Sequence, residues 1–313
     1  MCGIAGLSLA ADERCYPTKI SAAMLRAIAH RGPDATGAAW VEPKSLEVWF
    51  QKEPVPASQF IPMLDLHGAR TAILHTRYGT QGAKENNDNN HPIVLPGMVG
   101  IHNGMLRNDD ALFALTGAER IGQVDSEAAF ALLNHHDGTD TCTRLAMLEG
   151  SAALAWLTVD DEGLSDRVLH LARVTSSPLW VAQSNRGSFF FGSTRGTIEA
   201  AEKEMGQVFP FVQMIPEGTY MRIRRGCIIE WAIIPLPVRP EPKQSVWVGS
   251  KAKTHQPKAK NQNQKQTPKT KQQPLPDIAD TFMGDDDGYW AWKHHKARRQ
   301  EHAAAMQERR WTP

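Results

Sequence analysis

The sequence predicts an α+β fold of stacked sheets and helices. Apolar runs of strand length arrive in groups rather than in strict alternation with helices, and the few helical stretches show clear 3.6-residue spacing. A doubly wound parallel sheet would need regular alternation, and no internal repeat suggests a solenoid.

The first strand is expected over 2–9. A helix follows over 18–30, where Ile20, Met24, Leu25 and Ile28 share one face. After a turn at 30–34, paired strands are expected at 37–41 and 46–51, a short helix at 58–66 and a buried strand at 71–75. A polar loop then runs to about Pro92. A second apolar run, 98–102, is read as ending in a tight turn at Asn103-Gly104, because that dipeptide is the strongest short hairpin signal. Helices are expected at 109–115, 125–134 and 141–148. Strands follow at 152–159, 168–173, 179–183, 188–192, 219–224 and 227–234, interrupted by one helix at 197–205.

Composition narrows the class without choosing a function. With 41% hydrophobic and 22% charged residues and a formal net charge of +1, the 313-residue chain matches ordinary globular averages and carries no global bias toward nucleic acid. No apolar run is long enough for a membrane helix and no secretory leader is evident, so a cytoplasmic protein is expected. Cys2, Cys15, Cys142 and Cys227 are scattered, with no metal-ligand spacing, so neither a zinc site nor a disulfide framework is indicated.

Charge distribution divides the chain. The stretch 243–276 carries eight lysines and no acidic residue, in a Pro, Gln and Thr background that cannot bury enough apolar surface to offset chain entropy. The expected organisation is a folded domain over 1–240, a disordered linker over 241–276 and a tail over 277–313. That tail combines Asp285 to Asp287, then Tyr289, Trp290 and Trp292, then a basic helix-prone tract suited to docking.

Cys2 is explained by its position. Removal of Met1 would give it a free α-amine with an intrinsic pKa of about 8, able to act as general base for its own thiol with no histidine. An Asn side chain next to a Gly N–H, at Asn103 and Gly104, could supply two donors to an oxyanion. Arg77 has the geometry to grip a carboxylate and Asp125, opening a helix, the charge to accept from an ammonium group. Asp125 could equally be a helix N-cap.

These features occur within a longer series: Met1-Cys2-Gly3-Ile4-Ala5-Gly6, His30-Arg31-Gly32-Pro33-Asp34, His75-Thr76-Arg77-Tyr78-Gly79-Thr80-Gln81-Gly82, Asn90-His91-Pro92, His102-Asn103-Gly104 and Asp125-Ser126-Glu127. In this order the chain resembles the class II glutamine amidotransferases, whose glutaminase domain belongs to the amino-terminal-nucleophile hydrolases; the match covers most of 2–230. The resemblance implies a four-layer αββα sandwich, needing no cofactor. It also implies that Cys2 is the nucleophile, Asn103 and Gly104 stabilise the oxyanion, and Arg77 and Asp125 hold the amino-acid end of glutamine. Arg31 lies close to the nucleophile in the family, and Thr80 is placed to add a hydrogen bond to the carboxylate. His75, His91 and His102 are expected to pack or order loops.

The subfamily is not decided by these motifs. Members that transfer ammonia to fructose 6-phosphate usually carry His where Gln81 stands, whereas amidophosphoribosyltransferases usually have Tyr at the position of Tyr78. No synthase domain fits after residue 240, so the expected partner is a separate ammonia-acceptor enzyme, with nucleic acid not favoured despite the lysines. Two other readings stay open: a non-catalytic module of the same fold, and an amidohydrolase acting on another small amide.

Overall fold

The computed structural model describes residues 1–159 and 167–237. All lie in one compact unit, Met1–Pro242. The linker and tail expected beyond residue 240 fall outside the described residues.

The chain opens with β1 (Gly3–Ser8), followed by helix α1 (Pro17–Ile28), β2 (Ala35–Val41), β3 (Val48–Glu53), the short α2 (Ala57–Phe60) and β4 (Thr71–Arg77). Next come β5 (Ile93–Leu95), β6 (Met98–Leu106) and three helices, α3 (Asp109–Thr116), α4 (Asp125–Leu133) and α5 (Thr141–Ala146). The remainder is β7 (Gly150–Val159), β8 (Arg167–Thr175), β9 (Trp180–Gln183), β10 (Phe189–Gly192), α6 (Arg195–Met205), β11 (Phe211–Met214), β12 (Thr219–Arg224) and β13 (Cys227–Ile233).

Two antiparallel sheets form. The first has seven strands in the order β11-β9-β10-β1-β4-β2-β3, the second six in the order β13-β12-β8-β7-β6-β5. Strand alternation assigns their faces. On β1 and β4, Ala5, Leu7, Ala72 and Leu74 pack with Met24, Leu25 and Ile198 of α1 and α6. Their opposite faces, carrying Ile4 and Ile73, pack with Val99, Ile101, Ala153 and Leu171 of the second sheet. The outer face of that sheet, with Leu154 and Trp156, is covered by Leu112, Phe130 and Leu145 of α3, α4 and α5. Helices, sheet, sheet, helices: this is the four-layer αββα sandwich.

Local chemistry accounts for the helix ends. Pro17 sits in the first turn of α1, where its missing N–H costs nothing. The Thr194 hydroxyl accepts from Thr197 N–H to cap α6, which ends at Gly206 in the left-handed region. All nine residues of α4 are buried, so this helix shows no polar stripe.

Two expectations need correction. Asn103-Gly104 is not a turn: both residues lie inside β6, paired with Ala153 and Ala152 of β7. A nine-residue strand with a full-length partner overrides the dipeptide's turn preference. Asp125 is not the N-cap of α4 either; Val124 holds that place and Asp125 is the first helical residue.

Candidate active site

Alternation along the strands brings several predicted residues to one end of the inter-sheet space. Cys2 is in phase with Ile4, His75 and Arg77 with Ile73, and Asn103 with Val99 and Ile101, all of which point their apolar members between the sheets. His75 Nε2 donates to the His102 carbonyl at 3.1 Å, tying β4 to β6 across the layers at this end.

The Cys2 thiol sulfur accepts from Tyr78 N–H at 3.4 Å, and Arg31 Nε donates to the Cys2 carbonyl at 2.9 Å. Burial pushes the thiol up from its ordinary value; the Tyr78 hydrogen bond, the amino terminus and the Arg77 charge oppose this, while the Asp125 charge adds to it. The thiol thus lies within the fields of both Arg77 and Asp125.

The turn before β2 serves this arrangement. A side chain at Gly32 would place a Cβ 2.4 Å from the Thr76 carbonyl, so glycine is what lets the turn approach β4. Asp34 then accepts from Gly79 N–H at 2.7 Å, fixing the loop after Arg77.

Arg77 is 3% exposed. One terminal nitrogen donates to Asn90 Oδ1 at 3.1 Å and the other to the carbonyls of Gln81 and Gly82. The loop therefore wraps its own arginine. Asn89 braces that loop from behind, donating to the Ala83 carbonyl at 2.9 Å and accepting from Gln123 N–H at 2.7 Å.

Asn103 is fully buried, and neither its Nδ2 nor its Oδ1 has a partner. Such an orphaned amide calls for an outside ligand. Gly104 follows from strand geometry. Met105 and Arg107 N–H groups turn toward β7, meeting Ser151 Oγ and the Glu149 carbonyl. Gly104 N–H, of opposite parity, turns to the other edge, where β5 stops opposite Gly100. At that same edge Leu106 N–H donates to Asp125 Oδ2 at 2.5 Å.

Asp125 is 7% exposed. Its second oxygen has Ser126 Oγ at 3.3 Å, and that hydroxyl lies 2.9 Å from His102 Nδ1. Glu127 accepts from the N–H groups of Ile121 and Gly122 at 2.7 and 2.8 Å, holding the entry to α4. His75 and His91 pack with ring centres 4.1 Å apart and planes tilted by 43°. Burial pulls His75 down to about 3 and His91 well below its ordinary value, so both rings are neutral.

Of the residues singled out by sequence, Cys2, Arg31 and Arg77 are joined through direct contacts or a shared loop, Asn103 faces the inter-sheet space, and the Gly104 N–H and the Asp125 carboxylate lie along the open edge of β6. Thr80 is exposed on the loop after Arg77. The bracing roles of Asp34, Asn89 and Asn90 were not anticipated; their only signal was presence in or beside the motifs. Among the described residues, no group of three or more His, Cys, Asp or Glu is arranged to hold a metal ion.

No family model matches the chain. It is 27% identical over 210 residues to glutamine–fructose-6-phosphate aminotransferase (isomerizing) of Agrobacterium fabrum, covering 62% of this chain and 31% of that protein. The corresponding protein of Legionella pneumophila (strain Paris) is 30% identical over 142 residues, 44% of this chain and 22% of that one. The chain thus spans about a third or less of the curated relatives it matches. Glutamine phosphoribosylpyrophosphate amidotransferase from B. subtilis has the same fold, with a TM-score of 0.59 at 18% identity over 75% of this chain and 50% of that one. Motif order, sequence relatives and fold together identify the folded part of this chain as a class II glutamine amidotransferase domain of the amino-terminal-nucleophile hydrolase fold.

Proposed function

We propose that this domain hydrolyses the side-chain amide of glutamine to glutamate and ammonia, and that the ammonia serves a separate acceptor enzyme. The observation that carries the reading is a buried Asn103 amide with neither atom paired, followed by an edge-facing Gly104 N–H, on the strand that His75 ties to the Arg77 end of β4.

Cys2 acts once Met1 is removed. Met1 is 71% exposed, so nothing in the core holds it against an aminopeptidase. The freed α-amine takes the thiol proton, and the thiolate attacks the glutamine δ-carbon. Asn103 Nδ2 and Gly104 N–H receive the developing oxyanion. The amine's proton goes to the departing nitrogen, the C–N bond breaks and ammonia leaves. Water then attacks the γ-glutamyl thioester, releasing glutamate and restoring the thiol. Arg77 and Asp125 hold the α-carboxylate and α-ammonium, with Thr80, on the loop after Arg77, as a further donor to the carboxylate, and Arg31 fixes the Cys2 backbone.

The test is glutamate release from glutamine by protein whose amino terminus is verified by intact mass, with Cys2→Ala as control. Turnover that vanishes in Cys2→Ala and in protein retaining Met1 supports the reading. No turnover by the correctly processed protein, alone or with candidate acceptors, leaves a non-catalytic module of this fold. Activity on another amide that survives Arg77→Ala would replace glutamine as the substrate.

A further inference from the structure

Ser126 takes no part in the chemistry above, yet its hydroxyl lies between two polar side chains. His102 Nδ1 is 2.9 Å away and Asp125 Oδ1 3.3 Å away. All three residues are buried. On the far side of the imidazole, His102 Nε2 faces the Ser151 carbonyl at 3.4 Å.

A carboxylate oxygen can only accept, so between Ser126 Oγ and Asp125 Oδ1 it is the hydroxyl that donates. His102 Nδ1, 2.9 Å away on the other side of that hydroxyl, holds it in place. Meanwhile Leu106 N–H engages Asp125 Oδ2. Each oxygen of the buried carboxylate is thus held by one donor and keeps acceptor capacity for a further, cationic one.

We propose that Ser126 is a positioning residue for recognition of the substrate's α-ammonium group: braced by His102, its hydroxyl donates to Asp125 Oδ1 and so fixes the carboxylate in place to receive that cation. The inference rests on the reading of the site as a glutamine site. It assigns Ser126 and His102 a task in amino-acid specificity, separate from the attack on the amide.

The test uses two substrates, glutamine and glutaramate, which keeps the amide and carboxylate but lacks the α-amino group. Values of kcat and KM are measured on the full, processed chain for the native sequence, Ser126→Ala, Ser126→Thr and Asp125→Asn. Ser126→Ala is expected to raise KM for glutamine about tenfold, with kcat within about twofold and glutaramate turnover unchanged, the loss expected of a hydrogen bond that orients a charged group. Ser126→Thr, which keeps the hydroxyl, restores the glutamine value. Should Ser126→Ala not fold, Ser126→Cys, a poorer donor of similar shape, is expected to give a smaller loss on glutamine alone. Equal losses on both substrates, no loss on glutamine, or a Thr variant as impaired as Ala would overturn the proposal. If the native protein hydrolyses neither amide, or Asp125→Asn leaves the preference for glutamine over glutaramate intact, the glutamine-site reading itself fails and this inference with it.

Discussion

Asn103, the proposed oxyanion donor, carries a cost that can be stated at the scale of a single side chain. Two amide atoms sit in a fully buried position with no partner, and desolvating such a group unpaired costs about 1–3 kcal/mol. Nothing in the packing repays this, so the cost is expected to be recovered when the group is removed. Asn103→Leu, similar in volume and apolar, should raise the unfolding midpoint by a few degrees, since ~1 kcal/mol shifts Tm by about 2–4 °C in a domain of this size. The same variant should lower kcat for glutamine by about 10²–10³-fold, as loss of one oxyanion donor does. Thermal unfolding and glutamate release on one preparation check both halves, and a destabilised variant would mean that Asn103 is a structural residue. Residues of this kind were legible in the sequence because they fall in ordered motifs and are of types suited to the proposed chemistry. Asp34, Asn89 and Ser126 were not, because each acts by a hydrogen bond to a partner whose position only the fold supplies.

Elements were legible where hydrophobic period agreed with local signals and were missed where tertiary pairing overruled them. β5 is three residues long and bounded by Pro92 and Pro96, and β11 is four residues starting after Pro210, so neither offered a readable alternation. β6 erred the other way, since its turn-like Asn-Gly is held straight by β7. Pairing also places a polar chain inside the second sheet: Thr158 of β7, His170 of β8 and Tyr220 of β12 are linked at 2.7 and 2.8 Å, with Trp156 stacked on the imidazole. Burial pulls His170 down to about 3 from 6.5. A histidine whose folded value is depressed stays neutral in the native state while the unfolded chain takes up a proton below about pH 6.5. Stability is therefore fully present above that pH and falls as pH drops toward 3, by up to about 1.4 kcal/mol per pH unit for each such ring. Urea titrations across this window should show a slope shallower by about one proton in His170→Gln, which retains hydrogen-bonding groups but does not titrate. An unchanged slope would show that His170 is protonated in the native state.

At the scale of the molecule, the sandwich explains why a site can be assembled from residues more than a hundred positions apart. Each sheet buries one face on its helices and the other on its partner sheet, so the inter-sheet space is bounded above and below by strands whose registers are fixed along their length. Side chains leaving that space at one end are consequently held by the core rather than by the loops. The same three apolar clusters are completed by residues up to Ile234 and Leu236, which pack with Leu154, Trp156 and Tyr220 under α4 and α5. A fragment comprising residues 1–242 contains all of them, together with every residue assigned to the site. It is expected to unfold cooperatively with a midpoint within about 3 °C of the full chain, a difference worth ~1 kcal/mol or less, and to release glutamate from glutamine at the same kcat. Any role of residues 243–313 in delivering ammonia should then appear only when an acceptor enzyme is present, as a lower yield of aminated product per glutamate released. A fragment that folds but does not hydrolyse glutamine would show instead that the carboxy-terminal segment contributes to the site itself, and that the domain boundary read from composition does not coincide with the boundary of function.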